Sequence, residues 1–134
     1  LCLHSNMQTQ SSSFDWEEYI ELAKQLQQNP IPNALYHTAL YRAIVSRAYY
    51  GAFMYSRRRA ERIMGAFSGV NIHEQVIDYY SNSESKNHRK AGTFLKVLKD
   101  KRVECDYFDH LTEDPKRMAD ISIKLADTII NLIL

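Results

Sequence analysis

The stretch ALYHTALYRAIVSRAYYGAFMYSRRRAERIM, residues 34–64, decides the fold. It contains no proline and a single glycine, so it predicts one continuous helix about 45 Å long at 1.5 Å per residue. Apolar and aromatic side chains in its middle point in nearly all directions, which is typical of a helix covered by neighbours on several sides. These residues are Ile44, Val45, Ala48, Tyr49, Tyr50, Ala52, Phe53 and Tyr55. We therefore expect this helix to lie at the centre of the molecule.

Local end signals predict a helix upstream of the central one. Asp15 is the expected N-cap of a helix that ends near Gln28. Glu18 closes a capping box with Asp15, and Phe14 packs on Tyr19 as a hydrophobic staple.

Prolines, glycines and caps mark the remaining boundaries. Pro30 and Pro32 precede the central helix, Asn33 caps it, and Gly65 and Gly69 follow it. Three further helices are expected from about Asn71 to Tyr80, from about Arg89 to Tyr107, and from the Thr112–Pro115 turn onward, with a polar loop over Ser81–Asn87. The sequence therefore predicts an all-α fold, an up-and-down helical bundle of about five helices with one long central helix. Residues 13–134 form its single domain, and residues 1–12 are the expected flexible tail.

Composition and charge exclude several classes of protein. Of the 134 residues, 45% are hydrophobic and 25% are charged, so we expect a folded domain rather than a disordered chain. The formal net charge of +1 lacks the basic bias of proteins that coat nucleic acid, so any nucleic-acid contact must be local. No apolar run approaches the roughly 18 residues of a membrane span. We expect no membrane partner and a cytoplasmic location, with Cys105 as a small buried hydrophobe.

Patterns that identify common enzymes are missing from the sequence. The chain has no glycine-rich phosphate loop, no His-Glu-x-x-His, no paired cysteines and no Gly-x-Ser-x-Gly elbow. We therefore expect no metal and no cofactor.

Gly51 lies in the centre of the aromatic run, where a glycine costs about 1 kcal/mol against alanine. We interpret it as the point where another helix approaches closely, within the chain or across a dimer axis; a tolerated glycine is the alternative. We also expect a homodimer, because the aromatic middle of the helix exceeds what one five-helix bundle can cover.

Arg47 is a charged residue in the most apolar part of the chain. An uncompensated buried charge is costly, so this guanidinium requires a partner or a ligand. One alternative is an internal ion pair with Asp106 or Glu104. The other is a phosphate bound in a groove, which suits guanidinium geometry. The residues that share the helical face of Arg47 at three- and four-residue spacing are Tyr50, Gly51, Met54 and Arg58.

The arginines that follow, Arg57-Arg58-Arg59 with Arg62, have two interpretations. Cations are favoured at the C-terminal end of a helix, so a solvated helix end is the first. A patch that contacts phosphates is the second. Among the histidines, we interpret His73 as a capping or surface residue and His88 as a solvated loop residue.

Two segments in the right order resemble signatures of one family. Ser46-Arg47-Ala48-Tyr49-Tyr50-Gly51-Ala52-Phe53 resembles the Ser-Arg-Ala-Tyr-Tyr-Ala-Ala-Phe-His signature of the HEPN superfamily (higher eukaryotes and prokaryotes nucleotide-binding). Residues 95–107 are similar to that family's Leu-x-x-Leu-x-x-x-Arg-x-x-Ala-Asp-Tyr segment. With the closing helix, the similarity covers about residues 14–134. It implies structural roles for Ser46, Tyr49, Gly51, Phe53, Arg102, Asp106 and Tyr107.

The resemblance also implies a function. HEPN proteins are helical bundles that commonly dimerise, and many are metal-independent ribonucleases of prokaryotic toxin–antitoxin and defence systems, often paired with a small nucleotidyltransferase. In active members an Arg stabilises the phosphoryl charge and a nearby His moves the proton while a 2′-hydroxyl attacks the adjacent phosphate. Arg47 matches that Arg, but Met54 stands where this branch has His, and methionine cannot transfer a proton.

Two functions are therefore expected. The first is an RNA-binding or ribonuclease-like module with a degraded active site, in which Arg47, Tyr50, Met54 and Arg58 face a phosphate groove. The second is a non-catalytic dimeric interaction domain that partners a nucleotidyltransferase, in which Arg47 is structural.

Overall fold

Five helices form a bundle in the part of the chain that the structure, a computed structural model, describes: residues 14–28 and 37–134. We label them in chain order as α1 Glu17–Gln28, α2 His37–Met64, α3 Ile72–Ser81, α4 Lys86–Tyr107 and α5 Pro115–Ile133. These residues contain no β-strand, so the expected all-α bundle is confirmed. None of the five helices is long and apolar enough to cross a membrane. The tail over residues 1–12 and the predicted cap at Asn33 lie outside the described residues.

The long helix α2 is central, as predicted, and it contacts each of the other four helices. The buried residues of its middle keep at most 2% of their surface exposed: Ile44, Val45, Ala48, Tyr49, Ala52 and Phe53. Helices of the same chain cover these residues, so the expectation that one bundle cannot cover the aromatic middle of α2 is wrong. The homodimer stays a prediction.

The end signals of α1 are confirmed in large part. Asp15 Oδ1 accepts a hydrogen bond from the main-chain N–H of Glu17 at 3.0 Å. The ring centroids of Phe14 and Tyr19 lie 5.6 Å apart, as a hydrophobic staple requires. The capping box differs, because the main-chain N–H of Glu18 donates to the Asp15 carbonyl oxygen, whereas a capping box requires the Glu18 carboxylate to accept from the Asp15 N–H.

The start of α4 is the largest error in the predicted boundaries. The helix begins at Lys86 rather than near Arg89, because Ser85 Oγ accepts from the main-chain N–H of His88 at 3.3 Å and caps the helix. By contrast, α3 matches its prediction to within one residue at each end. Asp114 caps α5 with a proline in the first turn, as expected.

Gly51 lies where α1 packs closely on α2, and the helix-packing interpretation is confirmed. A Cβ atom at this position would lie 2.7 Å from Ile20 Cγ1 and 3.1 Å from the carbonyl oxygen of Trp16. The approach occurs within the chain, and it places Tyr19 over the guanidinium of Arg47.

Cys105 is buried in the core, and burial raises the pKa of its thiol to about 11. A protonated thiol is a poor nucleophile, so the interpretation of Cys105 as a small buried hydrophobe is confirmed.

Candidate functional site

Four side chains on the outer side of α2 form the candidate site, which we call the α2 stripe: Arg47, Tyr50, Met54 and Arg58. Arg58 is exposed and the other three are partly exposed, so these residues share one accessible face of the helix. Gly51, expected on the same face, is instead buried beneath α1. Tyr19 of α1 flanks the stripe, as do His73 of α3 and Arg102 of α4.

Aromatic rings, rather than a carboxylate, surround the guanidinium of Arg47. Its Cζ atom lies 4.6 Å from the ring centroid of Tyr19 and 5.5 Å from that of Tyr50, within the range of cation–π attraction. Nη2 donates one long hydrogen bond to Ser46 Oγ at 3.4 Å. No carboxylate in the described residues forms an ion pair with Arg47, and residues 1–13 and 29–36 contain no Asp or Glu. Most of its donors are therefore available to an external anion.

The carboxylates considered as internal partners of Arg47 are engaged elsewhere. Asp106 lies 3.7 Å from Nη1 of Arg102, one helical turn before it on α4. Glu104 accepts hydrogen bonds from the main chain and the hydroxyl of Thr112, which lower the pKa of its carboxyl. The internal ion pair is therefore wrong, and the anion-binding alternative is the one left open.

An imidazole from α3 packs against the inner edge of the stripe. The Tyr49 hydroxyl lies 2.5 Å from Nδ1 of His73, and the His73 ring stacks on Phe53 with the centroids 4.2 Å apart. Burial raises the pKa of Tyr49 and lowers that of His73, whose protonation is also opposed by the charge of Arg102. The interpretation of His73 as a surface or capping residue is therefore wrong. No spacing in the sequence indicates this contact, because it joins two helices.

Arg102 brings a second guanidinium to the same aromatic cluster. The residue is 6% exposed, and its Cζ lies 5.1 Å from the ring centroid of Tyr49 and 5.2 Å from that of Tyr50. Its Nε atom has no hydrogen-bond partner among the described residues. The Tyr50 ring therefore lies close to two guanidiniums, those of Arg47 and Arg102. The sequence offered one signal for part of this arrangement, the four-residue spacing of Arg102 and Asp106 on one helix.

Arg42, which the sequence analysis did not single out, links α2 to the end of α4 and the residues after it. Its guanidinium donates to the carbonyl oxygens of Cys105, Phe108 and Asp109 at 2.8, 2.7 and 3.1 Å. These carbonyls lie at the C-terminal end of α4, where a cation is favoured by the helix dipole. Tyr107, in contrast, is 73% exposed, so it does not take the structural role that the resemblance implies.

The arginines at the end of α2 divide into two pairs. Arg57 Nε and Arg58 Nη1 contact the carboxylate of Glu61 at 3.1 and 3.2 Å. Burial of Glu61 opposes its ionisation, but these arginines and a main-chain N–H outweigh that effect and lower its pKa. Arg59 and Arg62 form no ion pair within the described residues. Glu61 therefore offsets one of the two positive charges of the first pair, and the second pair has no carboxylate partner among the described residues.

His88 does not replace the histidine that is missing at position 54. It lies in the first turn of α4, with its ring 5.3 Å from that of Tyr80, so its interpretation as a solvated loop residue is wrong. It faces Arg59 and Arg62 rather than the α2 stripe.

The described residues contain no cluster of His, Cys, Asp or Glu that could hold a metal ion. Comparisons of the chain with protein-family models, with curated proteins and with solved structures find no match. The case for a function therefore depends on the site itself.

Proposed function

We propose that this chain is an RNA-binding domain of the HEPN type whose cleavage chemistry is weak or lost. The α2 stripe is the proposed RNA contact, with Arg47 on a phosphate and Tyr50 beside it. The supporting observation is the guanidinium of Arg47, which lies at an accessible surface between two aromatic rings and has no carboxylate partner among the described residues.

Charge and ring chemistry at the stripe favour this ligand. Arg47 and Arg102 place two positive charges next to Tyr50, and the pairing of Arg102 with Asp106 offsets only one of them. A phosphate is bound well by a guanidinium with free donors. Aromatic side chains such as Tyr50 add stacking with an unpaired base, and every base can provide it.

The resemblance supports RNA cleavage less well than it supports RNA binding. Attack of a 2′-hydroxyl on phosphorus requires one group to accept its proton and another to protonate the leaving oxygen. Met54 occupies the position of the expected histidine and can do neither. His73 is the nearest imidazole to Tyr50, but its Nδ1 is engaged by Tyr49. We therefore expect little or no metal-independent cleavage by the wild-type chain.

The binding test is fluorescence anisotropy with a short, unstructured RNA that has hydroxyl ends. Arg47→Ala should weaken binding by about tenfold, because it removes charge-assisted hydrogen bonds to phosphate. Arg117→Ala, an exposed arginine on α5, is the matched control and should change affinity by no more than about twofold. Equal effects of the two variants, or no RNA binding by the wild type, would contradict the proposal.

The cleavage test uses the same RNA with a metal chelator present. The wild type should leave the RNA intact, and Met54→His should cleave it if the site has decayed from an active one. Cleavage by Met54→His should disappear when Arg47→Ala is added. An inactive Met54→His variant would contradict the assignment of position 54 to proton transfer.

Exposed apolar side chains favour a second candidate function, a dimeric interaction domain that partners a nucleotidyltransferase. Ile63 at the end of α2 and Val70 before α3 are 76% and 79% exposed. Exposed apolar residues indicate a protein contact when they form a contiguous patch rather than lying singly. Met64 next to Ile63 is also exposed. We propose a homodimer in the cytoplasm, in a toxin–antitoxin or defence setting. A monomer by light scattering at micromolar concentration would refute the dimer.

A further inference from the structure

A cavity of about 280 Å³ lies beyond the α2 stripe, at the C-terminal end of α2. Two arginines, a histidine and two phenol rings line it together with four apolar residues of α2 and of the end of α5. The polar and aromatic lining residues are Arg59, Arg62, His88, Tyr79 and Tyr80. No Asp or Glu is among the lining residues. We call it the arginine cavity.

The two arginines of this cavity differ from their neighbours in forming no ion pair among the described residues. Arg57 and Arg58 share the carboxylate of Glu61, whereas Arg59 contacts the Tyr55 ring and hydroxyl, and Arg62 makes no ion pair with the described residues. The segments outside the described residues cannot supply a carboxylate side chain, because residues 1–13 and 29–36 contain no Asp or Glu. Two arginines without an ion-pair partner among the described residues therefore line one cavity.

Tyr80 and His88 contribute to the cavity wall in different ways. Tyr80 is buried, and its hydroxyl donates to the carbonyl oxygen of Ser56 at 2.6 Å, which fixes its ring. His88 lies in the first turn of α4, the end of the helix where the dipole favours negative charge.

A second cavity shares two lining residues with the arginine cavity and one with the α2 stripe. It has a volume of about 360 Å³ and is lined by Arg59 and Arg62 together with Arg58 of the stripe. Trp16 and Tyr55 give it aromatic walls, but Asp15 and Glu17 also line it. These carboxylates disfavour an anion in the second cavity, so a phosphate belongs in the arginine cavity and a base or sugar in the second.

We propose that the arginine cavity binds the terminal phosphate monoester of an RNA chain whose body lies on the α2 stripe. The inference rests on the proposed function and specifies its substrate, an RNA with a phosphorylated end. A phosphate monoester has a charge of about −2 near neutral pH, which matches two guanidiniums, whereas an internal phosphodiester has only one negative charge. A cavity, unlike an open groove, also suits a chain end better than a continuous strand.

The test compares three versions of one short RNA, with a 5′-phosphate, with a 3′-phosphate and with hydroxyl groups at both ends. One phosphorylated form should bind the wild type about tenfold more tightly than the hydroxyl form, through charge-assisted hydrogen bonds. The double variant Arg59→Gln with Arg62→Gln should lose that preference while its affinity for the hydroxyl form stays within about threefold. Arg47→Ala should weaken all three RNAs and keep the preference.

Adenosine monophosphate and inorganic phosphate, tested by calorimetry, distinguish a free ligand from an RNA end. Both should bind the wild type more weakly than the phosphorylated RNA, and the double variant should bind them more weakly still. Adenosine monophosphate binding as tight as that of the phosphorylated RNA would overturn the assignment to an RNA end. Circular dichroism of the double variant should match the wild type, since both arginines lie at the surface end of the helix.

Failure of this inference is distinguishable from failure of the proposed function. RNA binding by the wild type that ignores the terminal phosphate would overturn the inference alone. A terminal-phosphate preference that survives in the double variant would overturn it as well. Absence of any RNA binding would refute both.

Discussion

Replacing Gly92 by alanine should separate α3 from α4 and destabilise the domain. Gly92 is buried in α4 against the end of α3. A Cβ atom there would lie 2.4 Å from Ser81 Oγ, 2.6 Å from its nitrogen and 2.9 Å from its Cα. The last two atoms belong to the main chain and cannot rotate away, so the helices themselves must move.

The net effect follows from two opposing contributions. Alanine improves helix propensity over glycine by about 1 kcal/mol. Overpacking against a fixed backbone costs about 3 kcal/mol, the upper part of the usual range. Gly92→Ala should therefore lower the free energy of unfolding by about 2 kcal/mol, which corresponds to a fall of roughly 1 M in the urea midpoint for a domain of this size.

Urea unfolding followed by far-ultraviolet circular dichroism measures this loss. Gly51→Ala is the informative comparison, because its closest contact is the movable Ile20 Cγ1 rather than main chain. It should destabilise the domain by about 1 kcal/mol less than Gly92→Ala. Thr93→Ala, at an exposed position beside Gly92, should change stability by no more than about 0.5 kcal/mol. A Gly92→Ala domain as stable as the wild type would refute the close contact of α3 with α4.

Three further predictions concern the contacts around the site. Arg42→Met removes three hydrogen bonds to carbonyls at the end of α4 and should lower the free energy of unfolding by about 2 kcal/mol in urea. His73→Phe keeps the stacking on Phe53 but removes a group whose pKa is lowered in the folded state. As the pH falls, His73 binds a proton at a higher pH in the unfolded chain than in the folded one. The wild type should therefore lose stability as the pH falls through about 6.5 towards the folded pKa. Urea unfolding across that range should show a smaller loss for the variant. Tyr80→Phe removes the bond to the Ser56 carbonyl and should cost about 1 kcal/mol by thermal unfolding.

The fold was predictable from the sequence because its signals are local. Asp15 and Asp114 cap helices through hydrogen bonds to residues two and three positions away, so the sequence alone contains both partners. The start of α4 was less predictable because Ser83, Ser85 and Asn87 all offer capping side chains. Ser85 is the N-cap in the structure, while Ser83 Oγ accepts from its main-chain N–H.

The site was predictable only along one helix. The period of α2 placed Arg47, Tyr50 and Met54 on a common face, because neighbours at three- and four-residue spacing follow from helix geometry. The groups that approach this face from other helices, above all Tyr19 and His73, depend on how the helices pack. No spacing rule contains that information.

Adjacent tyrosines of α2 explain how two cations are held beside this helix, Arg47 at its surface and the buried Arg102 of α4. Tyr49 turns inward, where its hydroxyl meets His73 and its burial raises its pKa, so it stays neutral beside Arg102. Tyr50, one position on, turns to the surface, where Arg47 and Arg102 both approach its ring. Cation–π attraction of about 0.5–1 kcal/mol stabilises the partly exposed Arg47, and Asp106 offsets the charge of Arg102. The charge of Arg47 has no carboxylate partner among the described residues, and it is the charge that the phosphate of the proposed RNA ligand would offset beside Tyr50.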